Sequence, residues 1–251
     1  MKKILLYSFI TIMMFGCNEE EEVKANDVIN IISTDNIFSM PADNTSTISI
    51  TAYIALNSDS DKREIEFETN EGVFIDSKEK KIKLVAKDTI VINRNIYLGA
   101  VVKLKSSTKV TTEVKVTAKI YEYPVNLNLE FTNSPPKSIS ISSNVFGMDN
   151  SFLSEALLTA TVKSDTGSPS SGLEVEFLVY NAADNSPFTD LRLREHQNSV
   201  NATGIATTKF TAGNLTLGNQ KFVGDLKIIG KIIGTDIISN PIKLNIKQET
   251  N

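Results

Sequence analysis

The sequence predicts an all-β protein made of two tandem β-sandwich domains behind an N-terminal export segment. Apolar residues recur at every second position through much of the chain, for example in residues 48–56 and 114–120. Clusters of Asn, Asp, Ser, Gly and Pro separate these segments, as in residues 57–61 and 165–169. Short segments of the first half recur in the second half, in the same order and about 110 residues later.

The alternating period indicates strands with one face buried and one face in water. The intervening clusters have the composition of turns, in which Gly, Asn and Asp adopt conformations that other residues avoid. After the export segment, the sequence contains no helix-period stretch longer than a couple of turns. The body is therefore predicted to be all-β.

The repeat divides this body into two domains. The matched segments are 50–54 with 158–162, 65–67 with 175–177, and 114–116 with 226–228. The domains are placed at residues 27–134 and 135–251, each of the ~100-residue size of an immunoglobulin-like sandwich. Pro135 and Pro136 mark the boundary, because proline cannot donate to a strand ladder and stiffens a linker.

Residues 1–16 have the pattern of a signal peptide. Lys2 and Lys3 precede an apolar run of about a dozen residues, which is too short to span a membrane as a helix. The run ends at Phe15, Gly16 and Cys17, which resemble a lipobox cut after Gly16, although Phe15 is bulkier than usual there. An ordinary secretory signal followed by an incidental cysteine is the alternative.

The lipobox resemblance implies that Cys17 carries acyl chains and anchors the protein to a membrane without spanning it. Residues 17–26 are expected to form an acidic tether, with four consecutive glutamates at 19–22. This run resembles a signal that sends lipoproteins to the outer face of the outer membrane, but it is also typical of a solvated linker. The expected location is the outer membrane, with exposure at the cell surface.

Composition excludes several classes of function. The chain has one cysteine and one histidine, His196, so an internal disulfide is impossible and a Cys/His zinc site is improbable. A formal net charge of −4 without basic clusters argues against nucleic acid as a partner. No motif indicates a cofactor or catalysis, and His196 is most simply interpreted as a solvated surface residue.

The second domain resembles the invasin/intimin type of bacterial immunoglobulin-like domain. The residues that carry the resemblance are 158–162, 165–169, 173–177 and 204–208. In the first domain the likeness is weaker, because residues 88–90 stand where the family has a glycine–alanine element. The resemblance implies a sandwich of the kind strung in tandem on bacterial surfaces as stalks and adhesin segments, with no catalytic residues to carry over.

Three tyrosines are the candidate binding residues, and two aspartates are a candidate calcium site. Tyr53, Tyr121 and Tyr123 are expected on outward-facing strand positions, where they either stack on a ligand or pack at an edge. Asp59 and Asp61 could offer oxygens to calcium, although the loop lacks the remainder of an EF-hand pattern. Residues 88–90 also resemble a bacterial O-glycosylation signal.

The sequence favours a lipid-anchored envelope protein that acts as an adhesion or spacer module. A protein or glycan partner is expected at loops of the second domain, first at residues 165–172 and 181–189. The alternatives are an accessory glycan-binding lipoprotein of a nutrient-uptake complex and a structural subunit of an envelope assembly.

Overall fold

The computed structural model describes residues 23–189, 192–213 and 215–248 of the chain. The predicted signal peptide, Gly16, Cys17 and the four glutamates lie outside the described residues, as does the side chain of His196. No helix among the described residues is long and apolar enough to cross a membrane. A one-turn helix, α1 (Ala25–Val28), leads into the strands.

The first half of the chain forms two facing sheets. Its strands are β1 (Ile29–Ser33), β2 (Ser39–Pro41), β3 (Thr47–Ala55), β4 (Glu64–Thr69), β5 (Val73–Phe74), β6 (Lys81–Val85), β7 (Asp88–Ile92), β8 (Asn95–Lys105), β9 (Thr111–Ile120) and β10 (Tyr123–Thr132). One sheet has the order β1-β3-β8-β5, with β7 also paired to β8, and the other has the order β2-β10-β9-β4-β6. Alternate side chains fill the space between them, including the buried Phe67, Phe74 and Phe131.

The second half repeats this arrangement. Its strands are β11 (Ser138–Ser143), β12 (Gly147–Asp149), β13 (Glu155–Lys163), β14 (Val175–Asn181), β15 (Arg192–Gln197), β16 (Ile205–Thr211), β17 (Thr216–Leu217), β18 (Gln220–Lys221), β19 (Gly224–Ile232) and β20 (Ile242–Lys247). The sheets have the orders β11-β13-β16-β15 and β12-β20-β19-β14, and β17 and β18 form a separate hairpin. Phe210, Leu158 and Leu226 are at the centre of a second hydrophobic core.

The segments matched in the sequence lie on equivalent strands of the two halves. Ile50 and Leu158 are buried on β3 and β13, which hold the same place in their sheets. Phe67 and Phe177 are similarly buried on β4 and β14. In both halves a short strand, β2 or β12, runs parallel to the last strand of the half. The all-β fold and the immunoglobulin-like sandwich predicted from the sequence are confirmed.

Hydrogen bonds from residues 168–171 join the two sandwiches. Ser170 is buried, and its backbone N–H donates to the carbonyl of Ser134 at 3.0 Å. The Ser170 hydroxyl accepts the N–H of Ser134 at 2.8 Å and donates to the carbonyl of Ala42 at 3.2 Å. The next residue, Ser171, donates its N–H to the carbonyl of Thr108 at 2.7 Å. The joint therefore has direct bonds to the first sandwich in addition to the two linker prolines.

Asp43 lies at the centre of this joint. Its buried carboxylate accepts hydrogen bonds from the N–H groups of Thr45 and Ser46, at 2.8 and 2.6 Å, and from the hydroxyls of Ser46 and Ser106, at 2.8 and 3.1 Å. Burial raises the pKa of Asp43, but hydrogen bonds from Ser46, Thr45 and the Thr166 side chain outweigh it and hold the pKa at about 2. The Asp43 carbonyl accepts the N–H of Ser168, so the backbone of this residue bonds across the joint.

The joint bears on one expectation from the sequence. Residues 165–172 are predicted to be the first place for a partner, but Gly167, Ser168, Ser170 and Ser171 of this loop contact the first sandwich. The fit is close at Gly167, where an added Cβ would lie 2.3 Å from the Thr45 hydroxyl and 2.5 Å from the Asp43 carbonyl. Contacts between residues far apart in the chain place this loop in the joint, and strand periodicity does not report such contacts.

The joint also defines two opposite ends of the protein. Strand β3 begins near Asp43 and runs away from the joint to Ala55, and β10 returns from Tyr123 to the joint. Residues 23–28, 56–63, 93–95 and 121–122 therefore lie at the N-terminal end. In the second sandwich β13 begins at the opposite end and reaches the joint near Lys163. The loops 150–154, 182–189 and 215–223 form that opposite end, which we call the distal tip.

Candidate functional site

Apolar side chains are exposed on the loops of the distal tip. Leu153 has 95% of its surface exposed, and Leu217 and Val223 are about half exposed. Phe152 is also exposed and lies over Gly213, where an added Cβ would come within 2.7 Å of the phenylalanine ring. Exposed apolar residues on neighbouring loops are typical of a surface that binds another molecule.

Two clefts open on either side of the β17–β18 hairpin. The larger, of about 690 Å³, is lined by residues that include Ala182, Leu217, Val223 and Lys243. The smaller, of about 260 Å³, is lined by residues that include Phe188 and Leu217. Leu217 therefore contributes to both clefts, and the hairpin that carries it shapes the tip.

Buried side chains form the base of the tip. The ring of Phe222 is buried and meets the ring of Phe188 edge-on, with the centroids 5.1 Å apart. The buried Asn150 side chain donates through Nδ2 to the carbonyls of Leu215 and Phe222, at 3.0 and 2.8 Å. The Oδ1 atom of Asn150 has no hydrogen-bond partner in the described part of the chain, so this amide acts as a donor. One side chain thus holds both ends of the β17–β18 hairpin.

We expect Asn150→Ala to lower the free energy of unfolding by about 2 kcal/mol, because two buried carbonyls lose their donor. Amide exchange in residues 215–223 should accelerate more than exchange in the first sandwich. Hydrogen–deuterium exchange with mass spectrometry and urea unfolding measure the two effects. Asn57→Ala, at an exposed loop position, is the matched control. Equal exchange in the two variants would contradict the role given to Asn150.

Two of the three predicted tyrosines, Tyr121 and Tyr123, line one cleft at the N-terminal end together with Asp59, whereas Tyr53 does not line it. Tyr53 lies on β3 with its ring centroid 4.8 Å from that of Tyr97. Burial is the larger cause that raises the pKa of Tyr53, and the charge of Tyr97 raises it further. Tyr123 begins β10 with the same parity as the buried Val125 and packs against the first core, so the expectation of an outward side chain is wrong for it.

Tyr121 is the exposed member of the three. Its side chain is 60% exposed, and its backbone has φ +51°, an unusual value for a bulky residue. It lines two clefts at the N-terminal end, of about 430 and 320 Å³, together with charged residues such as Asp61, Lys62 and Glu66. Tyr121 therefore lies at the opposite end of the protein from the apolar tip.

The Asp59 and Asp61 loop is part of a charged surface. The Asp59 carboxylate forms an ion pair with Lys62 at 3.0 Å, and both side chains are exposed. Among the described residues, no group of three His, Cys, Asp or Glu side chains is arranged to hold a metal ion. The loop contains the short 3-10 turn 60–62, and the prediction of a calcium site gains no support from its geometry.

The sequence reasoning missed the residues of the tip. The signal was present, because Phe152 and Leu153 are adjacent apolar residues in a serine-rich loop, between Ser151 and Ser154. Alternation along a strand does not explain two adjacent apolar residues in a loop. Such residues indicate a binding surface. The loop 181–189, which was predicted as a partner site, does lie at the distal tip.

Comparison with known structures relates the fold to bacterial adhesins. Invasin, described as a bacterial integrin-binding protein, aligns with a TM-score of 0.53 and 13% identity over 88% of this chain and 40% of its own. The adhesin InvE of Yersinia pseudotuberculosis aligns with a TM-score of 0.44 and 11% identity, over 89% of this chain and 60% of its own. A glycosyl hydrolase family 2 member from Bacteroides cellulosilyticus gives a TM-score of 0.34 and 12% identity, over 84% of this chain and 24% of its own.

The chain thus spans less than two thirds of the length of each of these three proteins. No protein-family profile matches the sequence, and no curated protein sequence is significantly similar to it. The TM-score of 0.53 with invasin indicates a similar fold. The chain is an all-β protein whose fold is similar to that of bacterial immunoglobulin-like adhesin domains of the invasin type.

Proposed function

We propose that this protein is a lipid-anchored adhesion module of the bacterial envelope, which holds a partner protein at its distal tip. The observation that carries the proposal is the position of the exposed apolar side chains Phe152, Leu153, Leu217 and Val223 at the end opposite the N-terminus. A chain attached at Cys17 presents this end farthest from the membrane. The first sandwich and the joint then act as the spacer.

The distance that such a spacer spans can be extended by the tether. Residues 17–24 separate the proposed anchor from α1, and a chain of this length spans at most about 3.5 Å per residue when extended, or roughly 28 Å. Four glutamates give this segment a run of like charge. The tether provides reach, and the hydrogen-bonded joint keeps the two sandwiches aligned beyond it.

The chemistry of the tip favours a protein partner with an apolar surface. Leucine, valine and phenylalanine side chains bind by burying area, and aromatic and aliphatic residues surrounded by polar loops are typical of interface centres. Invasin, which has a similar fold, is described as integrin-binding, so it is a protein of this fold that binds another protein. For this chain we propose only the class of partner, a protein with an apolar surface, and not an integrin.

Photo-crosslinking on intact cells tests the proposal. We expect benzoylphenylalanine at position 153 to capture a distinct protein, and the same group at position 56 at the N-terminal end to capture none of it. To test the apolar side chains, the crosslinker is placed at position 223. The double variant L153S/L217S should then capture at least tenfold less of the same protein, which corresponds to a loss of about 1.4 kcal/mol in binding free energy. Leu56→Ser, which changes a similarly exposed leucine, is the matched control.

The anchor is measured in the same cells. The N-terminal peptide should begin at Cys17 and carry the mass of two or three acyl chains, and Cys17→Ser should release the protein from the membrane fraction. A peptide that begins elsewhere or lacks fatty acid would overturn the anchored part of the proposal. Equal capture from positions 153 and 56 would overturn the assignment of the tip.

A further inference from the structure

Strand β7 is an edge of the first sandwich that pairs on one side only. It forms a hairpin with β8, in which Ile92 pairs with Asn95 around the two turn residues Asn93 and Arg94. The turn residues have φ of +51° and +69°, the left-handed values of a type I′ turn. The hairpin reaches beyond the end of β3, because Ala55 pairs with Tyr97 and the pairing of β3 goes no farther.

The hairpin geometry determines which backbone groups of β7 point outward. In a two-residue hairpin the closing pair exchanges both hydrogen bonds, so Ile92 bonds to β8, and so do Ile90 and Asp88 by alternation. The N–H and C=O groups of Thr89 and Val91 therefore point away from β8. No other described strand pairs with β7, and both residues are exposed. Four backbone groups are thus available to an added strand.

The side chains of β7 do not protect this edge. Residues 89–92 are Thr, Ile, Val and Ile, which are all β-branched, and Val91 is 69% exposed. Natural proteins usually guard exposed edges with lysine, proline or a bulge. The preceding edge strand β6 follows that rule, because its Lys81 and Lys83 form ion pairs with Glu68 and Glu64 at 3.0 and 2.9 Å. Strand β7 carries no lysine and no proline.

We propose that β7 is a strand-addition site that binds an extended segment of a protein partner. The backbone of the segment would pair with Thr89 and Val91, and its alternate side chains would lie beside Ile90 and Val91. Lys87 and Arg94 lie at the two ends of β7, are exposed, and form no ion pair among the described residues. The preferred segment is therefore apolar in its centre with acidic residues at its ends.

A second copy of this chain fits the edge less well. Two copies of β7 that pair antiparallel about Ile90 would point their distal tips in opposite directions, because β7 runs along β8 and the long axis of the sandwich. Two chains that are anchored in one membrane through their N-termini point the same way. The preference for a partner segment over a second copy rests on the proposed anchoring. The outward backbone groups of Thr89 and Val91 do not depend on the anchor.

A designed peptide tests the site with the full lipidated chain in nanodiscs. The probe alternates threonine and valine between two terminal glutamates and carries fluorescein, and binding is measured by fluorescence anisotropy. We expect Val91→Pro, which removes an outward N–H and no bond to β8, to weaken binding at least tenfold. Val91→Thr, which keeps the N–H, should bind within twofold of the unaltered chain. Both variants should unfold at the same temperature as the unaltered chain.

A second measurement leaves the protein unaltered. A probe methylated at the backbone nitrogens of alternate residues loses donors on one edge and should bind at least tenfold more weakly than the original. Equal binding of the two probes, or no binding of the original at 1 mM, would overturn the proposal. A dimer that Val91→Pro abolishes would overturn it in favour of self-pairing. Capture at position 153 is measured separately, so failure of this site is distinguishable from failure of the tip.

Discussion

Replacing Asp43 with alanine is expected to lower the free energy of unfolding by about 3–5 kcal/mol, the cost of breaking a buried, hydrogen-bonded charge network. The carboxylate accepts hydrogen bonds from Thr45, Ser46 and Ser106 within the first sandwich. Alanine leaves these donors buried without an acceptor. Chemical unfolding followed by circular dichroism measures the change.

The control for this variant is Asp35→Ala, which removes an aspartate from an exposed turn near the same strands. We expect Asp35→Ala to change the unfolding free energy by less than about 0.5 kcal/mol, the usual range for surface substitutions. Because the Thr166 side chain helps to lower the pKa of Asp43, Asp43→Ala should in addition loosen the second sandwich from the first. Similar losses in the two aspartate variants would contradict the role of the joint.

Acid unfolding provides an independent test of Asp43. Its pKa of about 2 is below the usual aspartate value of 3.8, so the folded state binds its proton less readily than the unfolded state. The stability that this group contributes is complete above about pH 4 and is lost as the pH falls toward 2. The unaltered protein should therefore lose stability more steeply between pH 4 and 2 than Asp43→Ala. Parallel profiles would show that Asp43 is not held in its charged form.

Gly167→Ala is expected to disrupt the joint without altering either core. The new Cβ would lie 2.3 Å from the Thr45 hydroxyl, and the backbone at φ +65° disfavours any side chain. The sum of overpacking and backbone strain is about 3 kcal/mol. We expect the loop 165–171 to move off the first sandwich, which broadens the distribution of distances between the two sandwiches.

Pulsed electron paramagnetic resonance measures that distribution, with spin labels at the exposed positions Lys103 and Glu176 in a Cys17→Ser background. Gly234→Ala is the matched control, because its φ is +79° and an added Cβ there would meet nothing within 4 Å. It should cost about 1–2 kcal/mol of backbone strain and leave the distances unchanged. A narrow distribution in Gly167→Ala would show that the linker prolines alone hold the two sandwiches.

The strands were predictable from the sequence because their signal is local. Alternation of apolar residues in segments such as 48–56 reports which face of a strand is buried, and the structure buries Ile48, Ile50 and Ile54. Such alternation also predicts that Tyr123, two residues before Val125, faces inward; the outward assignment of this tyrosine ignored that parity. The internal repeat was visible because equivalent strands need similar side chains.

The joint and the tip were not predictable in the same way. Ser170 bonds to the carbonyl of Ala42, 128 residues earlier, and nothing in the local pattern relates these two residues. Asp43 could not be predicted as a joint residue, because an aspartate before a strand is ordinary in a turn and the sequence does not show that its side chain is buried. The two clefts depend on how three separate loops meet, so residues such as Leu217 are recognised only in the folded chain.

The parallel pairing of the short strands β2 and β12 determines how each sandwich resists a mechanical load. Strand β2 lies beside β10, with Ser39 opposite Glu130 and Pro41 opposite Thr132, and β12 lies beside β20 in the same sense. Tension between the two ends of a sandwich pulls such neighbours past one another, so their hydrogen bonds are strained together in shear and do not open one at a time. A chain with this arrangement in both halves is suited to carrying force along its length.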